Sequence, residues 1–133
     1  MSVLDASLAL DVLLRTEIGR RASALVLNPA ENLSAPDLLD VEVSRVLRRK
    51  SLAGELTDRR AMEALDDLFD LRLIRYPSGA LVRRAFALRE NFTLDDAIYV
   101  ALAEGTGERL LTSDRRLGRA VERHTQVSTS VLT

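Results

Sequence analysis

The sequence predicts an α/β fold built on a central parallel sheet, and three observations predict it. Short apolar runs alternate with longer amphipathic stretches along the whole chain, the pattern of strands joined by helical crossovers. The 133 residues are enough for one domain with a full core and too few for two, so a single domain over 1–133 is expected. No internal repeat, low-complexity tract or linker interrupts the pattern.

Val3-Leu4 begins the first strand. Leu8 to Leu14 and Gly19 to Leu27 read as helices, the second broken at Asn28-Pro29. Asn32 to Ala35 is the second strand. Pro36 suits a first helical turn, and the helix it opens runs to about Leu52, before Gly54. Thr57 caps another helix through Leu68-Phe69. Leu71 to Tyr76 alternates apolar and polar residues as an edge strand does, and Pro77 ends it. Ala80 to Glu90 is helical by pattern. Thr93 then caps Leu94 to Ala103, which Gly105 terminates; beyond Asp96 this helix is apolar on every side and should be buried. Arg109 to Thr112 is a strand, Arg115 to Val121 a short helix, and Thr125 to Ser128 a final edge strand.

Composition excludes several chemistries. Without cysteine there are no disulfides, no thiol catalysis and no thiolate-bound zinc. His124 is the only histidine, so multi-histidine metal sites are excluded too. No apolar run approaches the ~20 residues of a membrane span, and no basic-then-apolar leader is expected with an acid at position 5. A cytoplasmic protein is the expectation. The net charge of -1 favours no partner by itself. Lys50 is the only lysine; the other basic residues are arginines, grouped at Arg45, Arg48, Arg49 and again at Arg115, Arg116, Arg119, Arg123.

Four acids stand at the edge of, or inside, apolar runs: Asp5, Glu42, Asp96 and Asp114. A carboxylate near a low-dielectric interior is costly unless paired or bound to a cation. Asp5 and Asp114 end strand-like runs, where ligands of open parallel sheets gather; each could instead cap the helix that follows. Glu42 lies on the stripe of Leu38, Leu39, Val46 and Leu47, with Arg45 as its candidate salt-bridge partner. Thr93-Leu94-Asp95-Asp96 resembles a capping box, for which one acid suffices, and periodicity does not choose between Asp95 and Asp96. Carboxylates that converged would raise one another's pKa unless a cation neutralised them. An all-oxygen set suits Mg²⁺ or Mn²⁺, for which phosphodiester hydrolysis is the natural chemistry. Ser7 and Thr112 offer supporting hydroxyls, and Arg115 and Arg116 are candidate contacts to a phosphate backbone.

Four blocks, Val3-Leu4-Asp5-Ala6-Ser7, Ala35 to Glu42, Asp96 to Glu104 and Leu111-Thr112-Ser113-Asp114, together resemble the PIN-domain ribonucleases, most nearly the VapC toxins of bacterial toxin–antitoxin pairs. The resemblance covers essentially the whole chain. It implies a three-layer α/β/α sandwich and endonucleolytic cleavage of RNA that depends on Mg²⁺, with Mn²⁺ as a substitute. It also implies a homodimer and a cognate VapB-type antitoxin. By the same resemblance Asp5, Glu42, Asp96 and Asp114 are the catalytic metal ligands around an activated water, and Thr112 is a supporting hydroxyl. The third block selects Asp96 over Asp95 and leaves Asp95 as an extra acid; members often have an aromatic or other residue there. Where some members carry a further acid or amide after the last block, this chain has Arg115 and Arg116. Two competing expectations are a receiver-like or phosphotransferase domain with an aspartyl phosphate on Asp5 or Asp114, and a catalytically silent PIN-fold interaction module. Phosphate-accepting sites generally want a lysine in the cleft, and Lys50 stands at a charged helix end.

Overall fold

The computed structural model describes Met1–Thr133 and sets the shortest apolar runs at the centre. Ser2–Leu4 forms β1 with every residue buried, and Leu33–Pro36 forms β2, also buried throughout. Leu73–Tyr76 is β3, Arg109–Thr112 β4 and Thr129–Val131 β5. All pair in parallel, in the order β3-β2-β1-β4-β5. The inner strands are almost wholly buried because both their faces are covered, with Ser2, Ser34 and Thr112 as buried polar residues, whereas β3 and β5 are edges and only partly buried.

The helices are α1 (Ala6–Leu13), α2 (Glu17–Val26), α3 (Leu38–Leu52), α4 (Asp58–Asp70), α5 (Val82–Ala87), α6 (Leu94–Thr106) and α7 (Arg115–His124). The chain winds outward from β1 to β2 to β3 through α1–α4, which pack on one another. It then returns through α5 and α6 to β4 and steps out to β5 through α7. Right-handed crossovers send the two directions of winding to opposite faces of the sheet, which makes an α/β/α sandwich. One core of 26 buried residues fills it. The apolar helix α6 lies against β1, β2 and β4 with Ala97 to Ala103 all buried, as its composition requires. No helix is long and apolar enough to cross a membrane.

Most boundaries shift by one or two residues from the sequence reading, and four of the differences have a local reason. Pro36 ends β2 instead of opening α3. The β1–β2 pairing stops at Ser34, so the missing N–H of Pro36 costs no ladder bond. Ala80 lies in a 3-10 turn, Ser78–Leu81, and the α-helix after it ends at Ala87. Gly107, with φ of 70°, and not Gly105, takes the left-handed conformation that ends α6. The last strand begins at Thr129 because α7 runs on to His124, where the Thr125 hydroxyl donates to the Val121 carbonyl. Gly19 allows α2 to cross α1: a Cβ there would stand 1.8 Å from the Asp11 carbonyl oxygen.

The order of winding reverses between β1 and β4. In open parallel sheets the crevice beyond the carboxyl ends of the strands at such a reversal is where ligands bind. Here those ends are Leu4 and Thr112.

Candidate active site

Asp5 leaves β1 directly into α1, which it caps: its Oδ1 accepts the Leu8 amide at 3.0 Å. The Ser7 hydroxyl lies 2.8 and 2.9 Å from the two carboxylate oxygens, and the buried Thr112 hydroxyl donates to Oδ2 at 2.6 Å. Asp5 is only 4% exposed. Burial is the main reason its pKa is pushed up to about 6; the hydrogen bonds from Thr112, Leu8 and Ser7 hold it down, and Asp114 raises it a little.

Thr112 also joins the two strand ends. Its Oγ1 accepts the Asp114 amide at 3.0 Å, and the Ser113 amide donates to Ser7 Oγ at 3.2 Å. Asp114 in turn caps α7, its Oδ1 accepting the amides of Arg116 and Leu117 at 2.9 and 3.1 Å. So Asp5 and Asp114 do cap helices, and the same turns bring them to one crevice.

Asp96 and Glu42 approach from the helices on either side. Asp96, half-buried in the first turn of α6, is raised by burial and then by Asp114 and Asp95, against the Thr93 hydroxyl and Arg116. Glu42, half-buried on α3, is raised by burial and by Asp95 and Asp96, while the Tyr99 hydroxyl and Arg45 oppose this. The mutual repulsion thus runs from Asp5 through Asp114 and Asp96 to Glu42, with Asp95 facing the same space. No group of three or more acidic side chains is drawn close enough to hold an ion in this arrangement. Asp5 turns its oxygens to Leu8, Ser7 and Thr112, and Asp114 turns one to its helix cap.

Two site neighbours escape sequence reasoning. Tyr99 donates to Glu42 Oε1 at 2.6 Å, taking the place expected of Arg45. Both Glu42 and burial hold the phenol well above its usual range, so it stays a donor. The signal was a single hydroxyl in an otherwise apolar helix, one turn after Asp95 and Asp96. Asp11 of α1 accepts the Ser113 hydroxyl at 2.5 Å and the Thr16 hydroxyl at 2.8 Å, bracing the turn that carries Asp114. On α3 the buried residues are Leu39, Val43 and Leu47, with Glu42 at the flank of that stripe and not in its middle. Asp40, in the first turn of α3, is paired with Arg75 at 2.8 Å. Arg115 and Arg116 are exposed at the start of α7 beside Asp114, and His124 is exposed at its far end. Lys50 pairs with Glu55 at 3.6 Å at the end of α3.

Known proteins resemble this chain in sequence and in fold. The PIN domain family model matches residues 2–122. Ribonuclease VapC1 of Mycobacterium tuberculosis is 44% identical over 122 residues, 89% of each chain. Among solved structures, VapC20 of Mycobacterium tuberculosis, described as a sarcin-ricin loop cleaving toxin, matches with a TM-score of 0.70. It is 15% identical, covering 90% of this chain and 95% of that one. VapBC2 of Rickettsia felis, bound to a DNA fragment from their promoter, gives 0.69 at 11% identity and covers 99% and 98%. With a family model spanning nearly its whole length and a relative of that similarity, the chain belongs to the PIN-domain family, among its VapC ribonucleases.

Proposed function

We propose that this chain is a divalent-metal-dependent endoribonuclease, the toxin of a toxin–antitoxin pair, with Asp5, Glu42, Asp96 and Asp114 as its metal ligands. One observation carries the reading: acids from four separate segments face the crevice at the β1/β4 reversal, and none of the four has a cationic partner within ion-pair distance. Three of them have pKa values raised by burial and by one another. Acids kept in that state at a cost to stability are what a cation site requires.

The donor chemistry fits a hard ion. The candidate ligands and their hydroxyl neighbours all offer oxygen and none offers sulfur or imidazole, which favours Mg²⁺, with Mn²⁺ as a substitute. A bound ion of this kind stabilises charge developing on phosphate and eases ionisation of water. The chain's own residues supply orientation. Thr112 and Ser7 fix the Asp5 carboxylate, Tyr99 fixes Glu42, and the Asp114 cap fixes the start of α7. Asp95 adds negative charge beside Glu42 and Asp96. Arg115 and Arg116 stand where a phosphate backbone would leave the crevice.

The names of the relatives, VapC ribonucleases and a VapBC pair, support RNA as substrate and a VapB-type antitoxin as partner. A homodimer working in the cytoplasm completes the reading. The test is cleavage of total RNA with Mg²⁺ and with excess EDTA, for the wild type and for Asp5→Asn. Cleavage in Mg²⁺ alone, lost in Asp5→Asn, is expected. Undiminished cleavage in EDTA, or by a folded Asp5→Asn protein, overturns the metal-ligand assignment; a wild type inert on RNA under all conditions overturns the activity itself.

A further inference from the structure

We propose that the cleft between the α5–α6 turn and α7 is an RNA subsite, taking the nucleotide next to the scissile phosphate, with Arg89 and Arg116 as its phosphate contacts. This rests on the ribonuclease reading above and names where that site grips its substrate. The cleft measures about 360 Å³, within the roughly 300–1,000 Å³ of small-molecule sites. Asp96 lines it, so it opens onto the acidic crevice. Buried Phe92 and Leu117 give it an apolar floor on which a base or ribose can lie.

Neither of the two arginines that line it is in an ion pair, although Arg116 lies near enough to Asp96 to lower its carboxyl. The eight ion pairs of the protein engage arginines at positions 21, 59, 60, 75, 84 and 109, but neither Arg89 nor Arg116. Arg89 is nonetheless held in place. Its guanidinium lies 4.6 Å from the centroid of the Phe86 ring, and its Nη1 donates to the Phe86 carbonyl at 3.1 Å. A guanidinium oriented by the helix that precedes it, without an ion-paired carboxylate, is prepared for an anion, and its planar fork matches phosphate. The exposed Asn91 amide at the rim makes no side-chain hydrogen bond and can meet a base edge. Unstacked bases of single-stranded RNA are read by such combinations of guanidinium planes, aromatic rings and amides.

The experiment uses a labelled single-stranded oligoribonucleotide of mixed sequence. Its affinity is measured by anisotropy in EDTA over a salt series, and its cleavage in Mg²⁺ gives kcat and KM. The proteins are wild type, Arg89→Gln, Arg116→Gln, the double variant, and Arg72→Gln, which lies at the opposite end of the sheet ahead of β3. Each cleft variant should weaken binding roughly three- to tenfold and flatten the salt slope by about 0.7. KM should rise while kcat stays within about twofold, and Arg72→Gln should match wild type. A double variant with wild-type affinity, slope and KM, in a protein that does cleave RNA, overturns the subsite and leaves the ribonuclease reading intact. A wild type that neither binds nor cleaves the RNA overturns both.

Discussion

The two ends of the sheet treat the same kind of residue in opposite ways. At the amino end Glu31 accepts the Ser2 hydroxyl at 2.9 Å and lies 3.6 Å from Arg109, so its carboxyl is held below the usual range. Beside it, Glu108 is buried against the Ser34 hydroxyl at 2.8 Å, and Glu104 pairs with Arg84 at 2.7 Å. At the carboxyl end Asp5, Glu42 and Asp96 are buried or half-buried without a cation and are raised. The larger cleft, about 830 Å³, is at the amino end. Size therefore does not separate the two ends; the cluster of acids raised by burial and by one another does. Under the proposed function, the raised acids at the carboxyl end are the ones a cation would neutralise.

The largest expected effect inverts stability and activity. Asp5→Asn should lower RNA cleavage by at least about a thousandfold, roughly 4 kcal/mol of barrier, yet not destabilise the metal-free protein. Asparagine keeps the acceptor for Leu8, turns a donor toward the Thr112 hydroxyl oxygen in place of Oδ2, and removes a buried charge. Equal loss of activity and of thermal stability would mean Asp5 serves the fold, and the two ends would no longer differ.

The second effect is a pH dependence whose sign follows from Asp5. Its folded pKa of about 6 lies above the ordinary 3.8. Between these values the folded state therefore holds more protons than the unfolded one, and stability falls as pH rises from about 4 to about 6. The shift corresponds to roughly 3 kcal/mol. Urea unfolding in EDTA across this window should show the decline, Mg²⁺ should reduce it, and Asp5→Asn should flatten it. A decline in Asp5→Asn as steep as in wild type would contradict the assignment.

A third, smaller effect tests the bond from α6 to α3. Tyr99→Phe removes the hydroxyl that helps keep Glu42 ionised, so Glu42 should rise further. The acidic limb of the cleavage profile should then move to higher pH. Cleavage and Mn²⁺ affinity should drop about 10- to 100-fold, the usual cost of losing a group that orients a metal ligand, while stability changes by only about 1 kcal/mol. An unmoved acidic limb would separate Tyr99 from Glu42.

Much of this was legible in the sequence, because period and composition report burial. The all-apolar stretch after Asp96 announced a helix covered on every side, and the runs ending in Asp5 and Asp114 announced strands emptying into one crevice. Contacts between distant segments were not legible. Nothing local couples Glu42 to Tyr99, 57 positions apart, or Asp11 to Ser113. An arginine three residues away looked the better partner for Glu42 only because sequence shows neighbours along a helix and not across two. Pro36 was ambiguous for a related reason: a proline at a strand end and one at a helix start differ only in whether the next strand needs its amide. Asp95 and Asp96 could not be separated by spacing, and the structure turns both toward the site, Asp96 coupling to Asp114 and Asp95 to Glu42.

The smallest effect is the control from the amino end. Glu31→Gln should leave RNA cleavage unchanged and lower stability by about 0.5–1 kcal/mol, since the carboxylate meets Arg109 and the Met1 amine near the surface, where ion pairs are weak. Its pH dependence carries the opposite sign. Glu31 is lowered on folding, so its contribution is present above its ordinary 4.5 and fades as pH falls through the folded value. In wild type the two acids therefore pull the stability curve in contrary directions at mildly acid pH, and removing Glu31 should leave the Asp5 slope steeper. Salt distinguishes them further. Raising NaCl should screen only the part of the Glu31 contribution that comes from Arg109 and the Met1 amine, and leave the Ser2 hydrogen bond and the Asp5 decline in place, because burial and not a distant charge is the main cause of the latter. A decline that vanished with salt would show that repulsion among the acids, and not desolvation, sets the cost at the carboxyl end.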